Sequence, residues 1–247
     1  MFEDERFWRR SFEVLPNWPC PRCQQGSLKR SKDSEHIVEP HWSAVHHSDD
    51  EWESEWLEER FSIQMICQNA SCGEVVSVIG KTSHELFHEP DWGQSVRRQF
   101  EPKAIYPAPP VFKIIDECPQ VIAAELLNAF ELYWSDSRSS ANRLRAAAEA
   151  MLTERGVSRY SFDKKNKRYR LSLHARIERF EKKNAKAAEY LMAIKWLGNA
   201  GSHDGLDKLT DQDLLGGFEL FEHVLETLYA GKTKKLDKIA KGLNKLK

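Results

Sequence analysis

No apolar run in this sequence approaches the ~20 residues needed to cross a bilayer as a helix, so an integral membrane protein is not expected. Neither sign of charge dominates: 37 lysines and arginines stand against 38 aspartates and glutamates, a formal net charge of −1. Any attraction to nucleic acid must therefore come from local asymmetry rather than bulk charge. The opening Met-Phe-Glu-Asp-Glu-Arg is acidic and lacks the apolar core of a signal peptide. Cysteines are few, five in 247 residues. That is too few for a dense disulfide framework, and thiols arranged for metal fit a reducing compartment, so a cytoplasmic location is expected. With 40% hydrophobic and 30% charged residues the composition is that of a globular chain, with room for one large domain or two modest ones.

The cysteines present are concentrated. Cys20-Pro-Arg-Cys23 and Cys67-Gln-Asn-Ala-Ser-Cys72 each place two sulfurs on one tight turn. Strand-like sequence flanks both turns, and Gly26 and Gly73 close them. Two such knuckles brought together make a tetrahedral sulfur site, which zinc suits better than other common intracellular metals. The long interval between the knuckles leaves unrelated thiols or a disulfide pair as the other reading. A closed four-cysteine site keeps no position for water, so the expected zinc is structural. Zinc ribbons mostly recognise nucleic acid or protein. Cys118, in Asp-Glu-Cys-Pro ahead of a helical stretch, reads as a buried or capping thiol.

The expected fold class is α+β, a small N-terminal β zinc ribbon followed by an all-α bundle. Residues 1–100 form the ribbon domain. Its insertion, Asp33 to Glu59, is acidic and rich in His and Trp, and reads as a histidine-rich hairpin or short helix or, less simply, as a second metal site. Phe61-Ser-Ile-Gln-Met-Ile-Cys alternates as a half-buried strand should, and Val75-Val-Ser-Val-Ile continues the sheet. Four prolines between Pro102 and Pro110 mark residues 101–112 as a linker. Residues 113–231 read as about five helices: Val121–Trp134, Ser139–Leu152, Leu171–Phe180, Ala185–Leu197 and Asp211–Tyr229. Residues 232–247 form a strongly basic tail.

Three places in the helical half look more than structural. Arg145 and Glu149 are four apart and share a helix face, as an ordinary ion pair would too. The run Lys164, Lys165, Lys167, Arg168 with Tyr169 joins cations to an aromatic ring, a combination used for phosphate and base contact, though also common in exposed loops. Lys195-Trp-Leu-Gly-Asn-Ala-Gly-Ser-His203 begins on a helix and is expected to break it at its two glycines, presenting Asn199 and His203 on a tight loop.

The Asn142-Arg-Leu-Arg-x-x-x-Glu149 helix and the Lys195–His203 run together resemble the prokaryotic domain of unknown function family 4145, over roughly residues 110–230. That family often carries an N-terminal cysteine ribbon and is similar to the HEPN superfamily of helical domains. Many of its members are metal-independent ribonucleases of toxin–antitoxin, defence and restriction systems; others are adaptors. The ribonucleases use an arginine followed closely by a histidine, usually across a dimer interface. The resemblance implies His203 as the catalytic histidine, acting as general acid or base at a ribose 2′-hydroxyl. Lys195 stands where the arginine would be, at a longer spacing, and Asn199 matches a polar residue within the motif. Lys195 or Arg145, the latter beside Glu149, would stabilise the phosphate. The implied protein is a HEPN-like defence or toxin effector, homodimeric, with RNA as substrate or ligand. The alternative is a non-catalytic adaptor that oligomerises through its helices and binds nucleic acid or a protein partner through the ribbon. A third reading is a nucleotide sensor.

Overall fold

The computed structural model describes residues 5–89, 93–200, 209–230 and 242–244. It divides into two compact units. One comprises residues 2–111 with Phe130–Ser135, and the other Phe112–Ala129 with residues 136–247. Among the described residues no helix is long and apolar enough to cross a membrane.

The first unit is built on a five-stranded antiparallel sheet: β1 (Leu28–Arg30), β2 (His36–Val38), β3 (Glu59–Cys67), β4 (Val75–Glu89) and β5 (Gly93–Tyr106). β3 pairs with β4 and, along its other edge, with both β1 and β2. The alternation read from Phe61 to Cys67 is real. Phe61, Ile63, Met65 and Cys67 are buried, while Ser62 and Gln64 point outward. Their buried side joins a core that includes Trp18, Leu28, Val76, Val78 and Phe100. A second aromatic cluster sets Trp8, Phe12 and Trp18 around Tyr133 and Trp134, with ring centroids 5.2–6.5 Å apart. The insertion forms β2, a one-turn helix α1 (His41–Ala44) and short 3-10 turns. Glu59, at the start of β3, is buried and locks three strands. Arg98 of β5 grips it with both prongs at 3.0 and 3.1 Å, and Thr82 of β4 donates at 2.7 Å.

The sheet differs from a small ribbon in one respect. β4 and β5 form a hairpin of 15 and 14 residues, and its outer part, beyond Thr82, pairs only with itself. That stretch lacks alternation because neither of its faces must be wholly apolar, so the sequence does not announce it. The proline-rich linker expected at 101–112 is likewise corrected at its start. Residues 101–106 belong to β5, with Pro102 opposite Gly80 at a bulge. β5 ends the sheet's hydrogen-bonded order, and an edge strand tolerates a residue without an N–H.

The second unit holds the first part of α2 (Gln120–Ser135), then α3 (Ser137–Glu154), α4 (Leu173–Glu181), α5 (Ala185–Ala200) and α6 (Asp211–Tyr229). α5 packs against α3, α4 and α6. The shared core contains Leu126, Leu144, Met151, Ile177, Phe180, Leu191, Ile194, Phe218 and Phe221. It is not all-α. A short antiparallel hairpin, β6 (Tyr160–Phe162) and β7 (Arg168–Arg170), stands between α3 and α4. Side chains cap the starts of α3 and α6. Asp136 accepts from the backbone N–H groups of Arg138 and Ser139, and Thr210 with Asp213 forms a reciprocal capping box on α6.

The Thr210 hydroxyl and backbone N–H hold the Asp213 carboxyl below its ordinary range. A depressed folded pKa stabilises above the unfolded value of ~3.9, and the contribution is lost as pH falls through the folded one. Thr210→Ala should cost about 1 kcal/mol. In thermal melts the gap between wild type and variant should be full at neutral pH and shrink in acid. A variant melting like wild type at neutral pH would refute the cap.

Candidate metal centre and cation cluster

The four sulfurs of Cys20, Cys23, Cys67 and Cys72 lie within 4.8 Å of one another and could hold a metal ion. The first knuckle precedes β1 and the second links β3 to β4, so the β1–β3–β4 pairing brings them together. Leu28 faces Cys67 across the β1–β3 ladder, and Gln68 donates its backbone N–H to the Ser27 carbonyl at 2.9 Å. Within the first knuckle the Gly26 carbonyl accepts from Cys20 at 2.8 Å. A Cβ on Gly26 would lie 2.6 Å from the Cys67 sulfur, so only glycine lets the two turns close. Gly73 takes the left-handed φ of 59° that ends the second turn.

The sulfurs are free thiols, not disulfides. Cys20 and Cys72 are 3.8 Å apart, and Cys23 and Cys67 3.7 Å. A tetrahedron with metal–sulfur bonds of ~2.3 Å has edges of about 3.8 Å, so both distances suit one ion at the centre. Burial pushes the Cys20 thiol up to about 12, whereas N–H groups of Gln25 and Gly26 pull Cys23 down to about 6. Asn69 offers a further donor to the Cys23 sulfur at 3.8 Å. Among the described residues no other such group of ligands forms, so the histidines of the insertion make no second centre. Cys118 is half-buried beside the start of α2, with its thiol raised to about 11 by burial.

In the helical unit Arg145 and Glu149 of α3 and Lys195 of α5 lie on the seam of the two helices. The expected break at Gly198 does not occur, and α5 runs on to Ala200. Gly198 instead permits close helix approach: a Cβ there would come within 2.9 Å of the Arg145 Cβ and Cδ. Arg145 is thereby laid beside Lys195. Lys195 is only 8% exposed, with its ammonium 3.1 Å from the centroid of the Trp196 ring. It has no hydrogen-bonding or ion-pair partner among the described residues. Burial, and then the nearby Arg145 charge, hold its pKa below the ordinary lysine value. Glu149 lies 3.9 Å from Arg145 and 3.6 Å from Arg170. Asn199 is half-buried on α5, and His203 lies outside the described residues.

Arg176 also belongs to this neighbourhood and was not legible beforehand, since an arginine within a helical stretch reads as a solvated one. It is 2% exposed and donates to Thr153 at 2.8 Å and to the Val157 carbonyl at 3.2 Å. Burial lowers its pKa; Glu149 counters this, and the charges of Arg159 and Arg170 add to it. The expected basic loop is the turn of the β6–β7 hairpin, with Lys164, Lys165, Lys167 and Arg168 all exposed.

Residues 10–105 match the family model described as Domain of unknown function (DUF8608), and residues 128–245 that of Domain of unknown function (DUF4145). The second match supports the resemblance carried by the Asn142–Glu149 helix and the Lys195–His203 run. No curated protein and no solved structure matches the chain.

Metal analysis of the purified protein should find about one equivalent of a thiophilic ion. Acid should release it, because thiolate ligands reprotonate as pH falls. Cys67→Ser should lower the melting temperature of the sheet unit and reduce bound metal below half an equivalent. Full metal content in that variant would refute the four-sulfur centre.

Proposed function

We propose that this chain is a prokaryotic effector of the defence or toxin type that acts on RNA. In this reading the sheet unit is a zinc-held recognition module, and the helical unit is a HEPN-like domain that takes the polyanion. The observation that carries the reading is Lys195. It is a largely buried lysine with no carboxylate partner among the described residues, packed beside Arg145. Placing two cations together in a low-dielectric seam is unfavourable unless an anion completes it. A phosphate diester is such an anion, and the neighbouring Arg170 extends the positive field toward the hairpin.

As a ribonuclease, the site needs a proton acceptor for the ribose 2′-hydroxyl, and His203 supplies one. The freed 2′-oxygen attacks the adjacent phosphorus and the 5′-oxygen leaves, taking a proton, so a 2′,3′-cyclic phosphate and a 5′-hydroxyl result. Lys195 and Arg145 would neutralise charge on the phosphorane. The expected dimer would face two such sites toward a shared cleft. The type of residue at 195 favours a second reading, a non-catalytic adaptor that binds RNA and oligomerises. Lysine is a point charge and lacks arginine's planar two-pronged grip on phosphate.

Cleavage and binding of labelled RNA, measured side by side, separate the two. As a ribonuclease, His203→Ala should lose at least about a hundredfold in rate while its affinity barely changes. Lys195→Gln should lose both rate and affinity. Wild type that binds RNA but never cuts it leaves the adaptor, and wild type that binds no RNA ends both readings.

A further inference from the structure

The β6–β7 hairpin carries more than cations. Its register pairs Tyr160 with Arg170 and Phe162 with Arg168, so these four side chains share one face. Phe162 is 62% exposed and Tyr160 41%. Tyr169, on the opposite face, is 47% exposed. Three large rings on this hairpin are thus exposed to water. Ser161 points the other way and accepts from Arg179 of α4 at 3.0 Å.

The face is also preformed. The Arg168 guanidinium lies 3.7 Å over the Tyr160 ring, so its outer plane and the Phe162 ring stand ready as flat surfaces. The turn is tied by the Asp163 carboxylate, which accepts from the backbone N–H groups of Lys165 and Lys167 at 2.8 and 2.9 Å. Asn166 takes the left-handed φ of 58° that the turn requires. At the hairpin's base, Arg170 reaches Glu149 at 3.6 Å, which joins this face to the Arg145–Lys195 seam.

We infer that the hairpin is a base-stacking platform, and that the helical unit binds single-stranded rather than duplex polynucleotide, with RNA as the strand bound. Resting on the RNA reading above, this narrows the substrate class. Exposed rings interleaved with cations suit unstacked bases and their phosphates, since every base has a π-face to lay on a ring or guanidinium. In a duplex those faces are already stacked, and an A-form helix offers a hairpin only backbone and groove edges. The exposed lysines of the turn, Lys164, Lys165 and Lys167, supply the phosphate contacts.

The test is anisotropy of the full chain with a short labelled RNA as single strand, the same RNA as duplex, and the matching DNA single strand, each over a salt series. Single-stranded RNA should bind at least about tenfold tighter than duplex. Phe162→Ala should weaken single-strand binding about tenfold with an unchanged salt slope, because a ring releases no counterions, and Phe162→Trp should restore it. Lys167→Ala should instead flatten the log–log slope by about 0.7. Phe162 is solvent-exposed, so the variant should fold, and circular dichroism checks this. Equal binding of duplex and single strand, or wild-type affinity in both Phe162→Ala and Tyr160→Ala, overturns the platform while leaving RNA binding standing. Binding of DNA alone overturns RNA as the strand. Binding of no RNA in any form defeats the parent reading itself.

Discussion

The convergence of four sulfurs within 4.8 Å is the constraint on which the sheet unit depends. Cys67 ends β3 and Cys20 precedes β1, so closing the quartet draws residues distant in sequence onto one ladder. Once Leu28 faces Cys67, the register of β1 on β3 is set, and the alternation of β3 decides what enters the core. A slip of one residue would turn Phe61, Ile63 and Met65 to solvent. Four thiols so near one another cannot all ionise unaided. A bound cation resolves that conflict, and it couples the folding of the sheet to the metal.

The helical unit meets a related electrostatic problem in a different way. Gly198 lets α5 approach α3 closely enough for Arg145 to lie across it, and Lys195 is buried next to that arginine. Glu149 answers Arg145 and Arg170, while the ammonium of Lys195 lies over the Trp196 ring. An anion placed beside Lys195 would offset the repulsion between this lysine and Arg145. The same physics makes a positive cluster a poor structural element and a good receptor.

Two buried charged groups elsewhere, Glu59 and Arg176, do have hydrogen-bond partners. Glu59 satisfies both carboxylate oxygens through Arg98 and Thr82. Arg176 is held by Thr153 and Val157 at the foot of the β6–β7 hairpin. These groups fix strands and loops in place. The exposed rings and lysines of the hairpin face water on a scaffold that is already ordered, so a ligand would pay little to organise them.

Much of this was written in local sequence. The cysteine knuckles follow from spacing, because two sulfurs on one turn need only neighbouring residues. The helices from Gln120 to Tyr229 and the strand from Glu59 to Cys67 follow from apolar period, since each buries one face. What escaped local reading depended on partners distant in the chain. The long β4–β5 hairpin extends beyond the strand pairing of β3, so no cross-sheet neighbour fixes a pattern on its outer part. Pro102 looked like a linker residue until an edge strand excused its missing N–H. Gly198 looked like a helix breaker until Arg145, some fifty residues earlier, was seen to need the space. The sequence by itself determined which elements exist and which residues could ligate a metal. Only the tertiary structure decided which cations share a seam, because burial and like-charge proximity arise between elements and leave no mark on any one of them.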